Sequence, residues 1–208
     1  MKKVYKILIW TISSIVTILT IVLLLSYIWI STEWKDHYTE LEMRIYGFKI
    51  NTSEKLPDNF YLAYDTVYPK QRNKTLRKRF LQTIWTFITK KDGSLRNQRE
   101  CSSVLATRFI HNKKIMGFKS LDSYIMAHGL IKYTSEENCF DFIYNRPIRE
   151  EFSYECFDKP MHELTLNENI EYLIRLEKPT YYSNNPEKLK ERISELNITD
   201  TQHKAKKP

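Results

Sequence analysis

The feature that most constrains this chain is an uncharged apolar run near its N-terminus. From Ile7 to Ile30 no charged residue occurs, and leucine, isoleucine and valine dominate. A helix needs about 20 apolar residues to cross a hydrocarbon core that is about 30 Å thick. The run exceeds that length, so it predicts a membrane-spanning helix over residues 7–30.

A cleaved signal peptide is the alternative interpretation of this run. Signal peptides carry an apolar core of about 7–15 residues, followed by a cleavage site with small residues. The run is longer, and Ser31-Thr32-Glu33 matches a cleavage site poorly. We therefore expect a retained anchor, with cleavage near Ser31 as the alternative.

The charges on either side of the run predict its orientation. Lys2, Lys3 and Lys6 precede it, whereas the charges at residues 33–36 nearly cancel. Basic flanks of a membrane helix stay in the cytoplasm. We expect a single-pass protein of the cell (inner) membrane, with a cytoplasmic N-terminus and an extracytoplasmic (periplasmic) domain.

The remaining chain is long enough for one hydrophobic core and short for two. Its composition, with 42% hydrophobic and 28% charged residues, is that of a globular protein. The expected organisation is a basic N-terminus at 1–6, the membrane helix at 7–30, a linker at 31–55, one domain at 56–197 and a basic tail at 198–208.

Helical patterns dominate the second half of the chain and predict a mainly α fold. Residues 134–137 and 165–168 are capping-box patterns, which open helices, and Pro186 is expected to open the last helix. One buried helical stripe is predicted at Leu121, Tyr124, Ile125 and His128. A second is predicted at Leu166, Ile170, Leu173 and Ile174. The segment 61–68 fits a helix or a strand.

A basic run at residues 70–79 precedes an aromatic-rich amphipathic segment at 80–88. Such a segment suits a membrane surface, and it equally suits a solvated helix that enters a core. Anionic lipid is expected to contact Arg77, Lys78 and Arg79. The net charge of +8 would also suit nucleic acid. An exported, tethered domain meets anionic lipids first, so we expect no nucleic-acid partner.

The cysteines and histidines show no metal-binding spacing. Cys101, Cys139 and Cys156 are expected in the core, and one disulfide remains an option because an exported domain meets an oxidising compartment. His128 is expected to be a core histidine and not a ligand. The sequence therefore predicts no cofactor.

Two stretches of the second half resemble a known family in order and spacing. Residues 150–168 read EEFSYECFDKPMHELTLNE, and residues 179–192 read PTYYSNNPEKLKER. They resemble glycosyltransferase family 51, the peptidoglycan glycosyltransferase (transglycosylase) domain of penicillin-binding proteins. That family reads approximately A-x-x-Y-F-G-K-x-x-x-x-L-T-x-x-E and then P-x-x-Y-N-P before an arginine-bearing helix. The positions in register are Phe157, Lys159, Leu164, Thr165, Glu168, Pro179, Tyr182, Pro186 and Arg192.

The resemblance extends to the layout of the whole chain. Residues 133–145 resemble the family's Y-S-K-x-E-I-L-x-x-Y-L-N helix. Family members carry one N-terminal membrane anchor and an α-helical, lysozyme-like domain outside the cytoplasm. The resemblance thus implies this architecture for the present chain.

The sequence departs from the family at the catalytic positions. In the family, a glutamate in A-x-E-D-x-x-F is the general base, and a second, in R-K-x-x-E, assists the pyrophosphate leaving group. Here Tyr64 stands at the first glutamate and Asp65 at the following aspartate. The second glutamate falls near Ser123, beside Asp122. Asp65 and Asp122 are therefore the remaining catalytic candidates.

The substrate-binding positions implied by the resemblance are partly kept. The family's G-G-S-T-I-T-Q-Q loop corresponds to residues 101–107, which retain small hydroxyls but lose the glycines and both glutamines. Ser102 and Ser103 are the substrate-binding candidates there. Lys119, at the family's basic pair, is a third.

Three functions follow from these observations. The favoured one is a membrane-anchored, catalytically degenerate member of the family, a pseudoenzyme that binds lipid-linked glycan or glycan strands in the cell envelope. The second is an active peptidoglycan glycosyltransferase that polymerises lipid-linked disaccharide, for which a divalent metal at the pyrophosphate is an option. The third is an envelope interaction protein that binds anionic lipid or a protein partner.

Overall fold

The computed structural model describes residues 2–69, 71–72, 75–79, 81, 101–110, 115 and 117–204. The side chains of residues 2–5, 8, 119, 120 and 197–204 lie outside this description. Every regular element in the described ranges is helical, which confirms the mainly α prediction. The segment 61–68, for which the pattern left helix and strand open, is mostly helical.

The helices in the described ranges are α1 (Lys2–Thr32), α2 (Trp34–His37), α3 (Glu40–Asn51), α4 (Asp58–Val67), α5 (Ser102–Ile110), α6 (Lys119–Leu130), α7 (Glu136–Tyr144), α8 (Pro147–Phe157), α9 (Leu166–Glu177), α10 (Pro179–Asn184) and α11 (Pro186–Lys204). A 3₁₀ turn at Met161–Glu163 joins α8 to α9. Because α11 reaches Lys204, it continues into the stretch expected to be a basic tail.

Helix α1 contains the whole apolar run. Among the described residues, it is the helix long and apolar enough to cross a membrane. Its hydroxyls bond back to carbonyls of the preceding turn, as Thr11 does to Ile7 and Thr17 to Ser13, both at 2.9 Å. These bonds satisfy the polar groups within the helix itself, which a spanning helix in hydrocarbon requires.

Residues 31–55, which the sequence assigns to a linker, are largely helical and packed. Thr39 and Glu42 form a reciprocal capping box that opens α3. The buried side chains in this stretch are Trp34, Tyr38, Met43 and Ile50. The folded unit therefore begins close to the end of α1.

The main core lies between α4 and α9, with α7 completing it. The ring of Phe60 on α4 meets Phe140 on α7 and Tyr172 on α9, both at 6.2 Å between centroids. Aromatic pairs at such distances add stability beyond the area that they bury. Leu189 of α11 closes this core, and Ile193 and Leu196, on the same face of that helix, pack against it.

A second core joins α1 to the domain. Trp34, Met43 of α3, and Ile125 and Met126 of α6 form one buried cluster, against which Ile30 of α1 packs. The last turns of α1 also lie against α6, and the ring of Tyr27 stands 5.7 Å from that of His128. Helix α1 is thus packed onto the domain.

The predicted helix starts are confirmed at one site and shifted at another. Thr165 and Glu168 form the expected capping box of α9. The other helix, α7, is capped by Ser135, because Glu136 and Glu137 bond elsewhere and Thr134 donates to Asn51. These contacts pull both glutamates away from the reciprocal cap.

The predicted buried stripes are mostly confirmed. Ile125 and His128 on α6, and Ile170, Leu173 and Ile174 on α9, are buried. The prediction was wrong for Leu166, which is exposed at the first position of α9, and Leu121 and Tyr124 are only half-buried. Cys101 and Cys139 are buried as predicted, whereas Cys156 is half-buried, and all three are free thiols.

Candidate functional site

Tyr64, at the position that the resemblance aligns with a general base, belongs to the core. It is buried on α4, and its ring lies 4.7 Å from that of Phe140 and 4.9 Å from that of Tyr68. A general base must reach the proton that it abstracts. A buried phenol among aromatic rings does not present such a group to a substrate.

Asp65, the next residue, faces outward and is held by an arginine. Arg72 donates from Nη2 and Nε to its two carboxylate oxygens, at 2.8 and 3.3 Å. The same guanidinium lies 4.9 Å above the ring of Tyr61. This catalytic candidate is therefore one half of a bidentate ion pair.

Asp122, the other catalytic candidate, is buried on α6. Its Oδ2 accepts a hydrogen bond of 3.3 Å from the backbone N–H of Ile115. Helix α6 packs on α1, α2, α3 and α5, whereas Asp65 is carried by α4, which packs mainly on α9. The two aspartates are thus carried by helices that contact different neighbours.

The hydroxyl-bearing start of α5 is bound by an internal carboxylate. Ser102 and Ser103 are buried there, and Glu136 accepts bonds from the Ser103 N–H at 2.8 Å and from its Oγ at 2.6 Å. Burial raises the pKa of Glu136, and the bonds from Ser103 oppose that rise. A helix N-terminus favours an anion, and here the carboxylate of Glu136 is that anion.

The basic run meets α6 through one apolar side chain. Within the helical turn at residues 76–79, Leu76 is buried while Arg77 and Lys78 are exposed. The hydroxyl of Tyr124 on α6 donates to the Leu76 carbonyl at 2.7 Å. This turn is therefore a charged surface docked on the domain. Apart from Leu81, the aromatic-rich segment at 80–88 lies outside the described residues, as does the side chain of Lys119.

A polar network that the sequence patterns did not predict lies between α4 and α7. Asp141 is 1% exposed, and it accepts a hydrogen bond from the hydroxyl of Tyr61. The ammonium of Lys55 lies 3.6 Å from its Oδ2 and 2.9 Å from Oε1 of Glu137. Burial raises the pKa of Asp141, as expected for a carboxylate taken out of water.

This network runs without a break into the Asp65 ion pair, because Arg72 covers the ring of Tyr61. The sequence did hold a signal for it. Asp141 is an acid between the apolar residues Phe140 and Phe142, and a charge that becomes buried requires partners.

A cavity of about 350 Å³ lies next to Lys55. Polar and apolar groups both line it, and the lining residues are Ser53, Glu54, Lys55, Pro57, Asn145, Glu150, Met161 and His162. The amide of Asn145 donates to the Glu54 carbonyl, and Glu150 accepts from the Met161 N–H at 3.1 Å. Hydroxyl, amide and carboxylate groups of this kind can bind a neutral, hydroxyl-rich ligand.

Within the described ranges, no group of three or more histidine, cysteine or acidic side chains converges to hold a metal ion. In the second half of the chain, several residues that carry the resemblance bond to one another. Lys159 pairs with Glu168 at 2.8 Å, and Glu168 also accepts from the Thr165 N–H at 2.8 Å. These bonds lower the pKa of Glu168 to about 2. The K…LTxxE pattern therefore builds a helix start.

The fold and these sites define an all-helical domain fused to a helix that can span a membrane. No protein-family model, curated protein or solved structure matches the chain.

Proposed function

We propose that this protein is a membrane-anchored, transglycosylase-like domain of the cell envelope that binds lipid-linked glycan or glycan strands without polymerising them. The anchor is α1, and the domain lies on the extracytoplasmic side. This proposal extends the resemblance to glycosyltransferase family 51.

The observation that carries the non-catalytic part is the packing of Tyr64. Its ring is enclosed by Phe140, Tyr68 and Tyr144 at the position of the family's base. Asp65 is bound by Arg72, and Ser103 is bound by Glu136. Groups that would contact a reacting sugar are thus bonded to other residues of the fold. Because alignment of reacting groups accounts for about 7–11 kcal/mol in well-oriented reactions, we expect no polymerisation.

The binding part of the proposal uses the cavity beside Lys55. Its volume of about 350 Å³ is in the range of roughly 300–1,000 Å³ that is usual for small-ligand sites. The polar groups in its lining suit the hydroxyl and amide groups of an amino sugar. An anchored domain would meet such a sugar on a lipid carrier in the same membrane.

The test uses the purified full chain in proteoliposomes with fluorescent lipid-linked disaccharide. We expect saturable binding and no glycan polymer on gels. Glu54→Gln, in the cavity wall, should weaken binding about 5-fold or more, because it replaces a hydrogen bond to a charged group by a weaker one to a neutral amide. Glu155→Gln, on the exposed surface of α8, is the matched control and should leave binding unchanged. Polymer formation by the wild-type chain would contradict the proposal.

The exposed basic turn favours anionic lipid as a second ligand. Arg77 and Lys78 project from a turn that Leu76 fixes to α6. Replacing Arg77, Lys78 and Arg79 by glutamine should weaken the affinity for phosphatidylglycerol vesicles by about 1 kcal/mol per charge. If this substitution changes nothing in a vesicle-binding assay, the turn is only a solvated surface.

A further inference from the structure

Helix α3 has two apolar faces, and the domain covers one of them. Met43, Gly47 and Ile50 are buried against α6 and α7. On the opposite side, Leu41, Ile45 and Phe48 form a stripe of one residue per turn. We name these three residues the α3 stripe; they are 67%, 55% and 71% exposed. Scattered exposed leucines are ordinary in proteins, but a continuous stripe on one helix marks an interaction surface.

The position of α3 relative to the anchor helix suggests what covers this stripe. Met43 of α3 packs in the same cluster as Ile30, the last residue of the apolar run. Leu23 and Tyr27 of the run are half-buried, and α6 is the main partner of α1. Since Met43 shares a cluster with the last residue of the apolar run, α3 lies close to the end of α1, where a helix that spans the membrane would leave the lipid for water.

The basic residues of α3 are placed as expected for a helix at the boundary between lipid and water. At 100° per residue, Arg44 lies on one side of the stripe and Lys49 on the other. Both are exposed, and Arg44 pairs with Glu40 at 2.9 Å. Helices that lie in a membrane interface carry basic residues beside their apolar face, where the long side chains reach the headgroups.

We propose that the α3 stripe inserts into the membrane that α1 spans, at the boundary between headgroups and acyl chains of the leaflet facing the domain. The domain then contacts lipid through α3 in addition to its anchor. This inference rests on the anchoring in the proposed function, and it adds a lipid-binding surface that is separate from the cavity and from the basic turn.

The test places an environment-sensitive NBD fluorophore on single cysteines of the full chain. Cys156→Ser removes the half-buried thiol, while Cys101 and Cys139 are buried. Ile45→Cys and Phe48→Cys report on the stripe. Ile148→Cys on α8 is the matched control, because Ile148 is 64% exposed and α8 packs on α9 and the 3₁₀ turn. Each protein is reconstituted into phosphatidylcholine–phosphatidylglycerol vesicles, with or without lipids nitroxide-labelled near the headgroup.

We expect blue-shifted emission at positions 45 and 48, with about 2-fold quenching by the nitroxide lipids, as for an interfacial helix. Position 148 should show neither effect. Water-like emission without quenching at 45 and 48 would overturn the inference. So would blue-shifted emission that nitroxide lipids leave unquenched and that depends on protein density, because a second copy would then cover the stripe.

Carbonate extraction of the same vesicles separates this inference from the function on which it rests. If the chain remains in the membrane but the stripe is not quenched, only the inference fails. If the chain is extracted, the anchoring fails and the inference fails with it.

Discussion

The indole of Trp34 lies directly against Gly129, so closely that a Cβ on the glycine would stand 2.6 Å from Cδ2 of the indole. Gly129 is in the last turn of α6, and Trp34 opens α2 just after the anchor. The absence of a side chain at position 129 therefore allows the chain leaving α1 to pack onto the domain. Lys132 adds an ammonium 4.9 Å above the same indole.

Gly129→Ala should destabilise the domain by about 1–3 kcal/mol, the usual cost of overpacking a core. Denaturant unfolding of the full chain in detergent measures this. The cost should shrink when Trp34→Leu is also present, because the smaller side chain leaves room for the methyl group. Gly117→Ala is a contrasting control. Gly117 has a φ of 80° with open space around it, so its strain is in the backbone and Trp34→Leu should not relieve it.

The folded state should become less stable as the pH falls, because His128 is buried in its neutral form. Burial lowers its pKa to about 4, assisted by Lys132, and its ring faces the rings of Tyr27 and Tyr124. An unfolded histidine titrates near pH 6.5. Between these values the unfolded chain binds more protons than the folded one. Stability therefore drops as the pH falls from about 6.5 to about 4, by ~3 kcal/mol in total, and this contribution is constant below that window.

The variant His128→Phe isolates this contribution from the titration of the carboxylates. Its ring fits the same aromatic contacts but takes no proton. The difference in unfolding free energy between variant and wild type, measured at pH 7, 5.5 and 4.5, should grow as the pH falls. A constant difference would show that His128 is not buried in its neutral form.

The stability of the fold around Asp141 should depend far more on the hydrogen bond from Tyr61 than on the ion pair with Lys55. Tyr61→Phe removes a hydrogen bond to a buried carboxylate and should cost about 1.5–3 kcal/mol. Lys55→Met removes an ammonium that is 63% exposed, and exposed ion pairs contribute at most about 1 kcal/mol. Urea unfolding of the two variants checks this order, and equal losses would contradict it.

Placing a glutamate at position 64, where the resemblance would have one, should destabilise the protein without giving it activity. Tyr64→Glu places a carboxylate among the rings of Phe140 and Tyr144, where an unpaired charge costs several kcal/mol. We expect a lower melting temperature and no glycan polymer. Asp65→Asn, which breaks only the half-exposed pair with Arg72, should cost less than about 1 kcal/mol. If wild-type polymerisation existed and vanished in Asp65→Asn, the protein would be an enzyme.

The helical class and the second half of the fold could be predicted because periodicity and capping agree there, as at Thr165 and Glu168. Helix α3 could not be recognised in that way. Its apolar residues lie on two faces, so they follow no single stripe. The capping box of Thr39 and Glu42 was the available signal for its start.

The candidate site was less predictable than the fold. Motif positions such as Ser103 and Asp65 kept suitable chemistry in the sequence, yet their partners, Glu136 and Arg72, are fixed only by tertiary packing. The network around Asp141 depends on contacts across 80 or more residues, which no local pattern encodes.

The packing of Ile30 against Met43 and Ile125 has a consequence for the range over which the domain can act. If α1 spans a membrane, a domain packed onto it diffuses only in the plane of that membrane, at constant height, whereas a domain on a loose tether would sample a range of heights. Its search is then two-dimensional. Anything that it binds must come within roughly 40 Å of the bilayer, the diameter of a folded unit of this size, so a target deep in a thick wall would be out of reach however tightly it could bind.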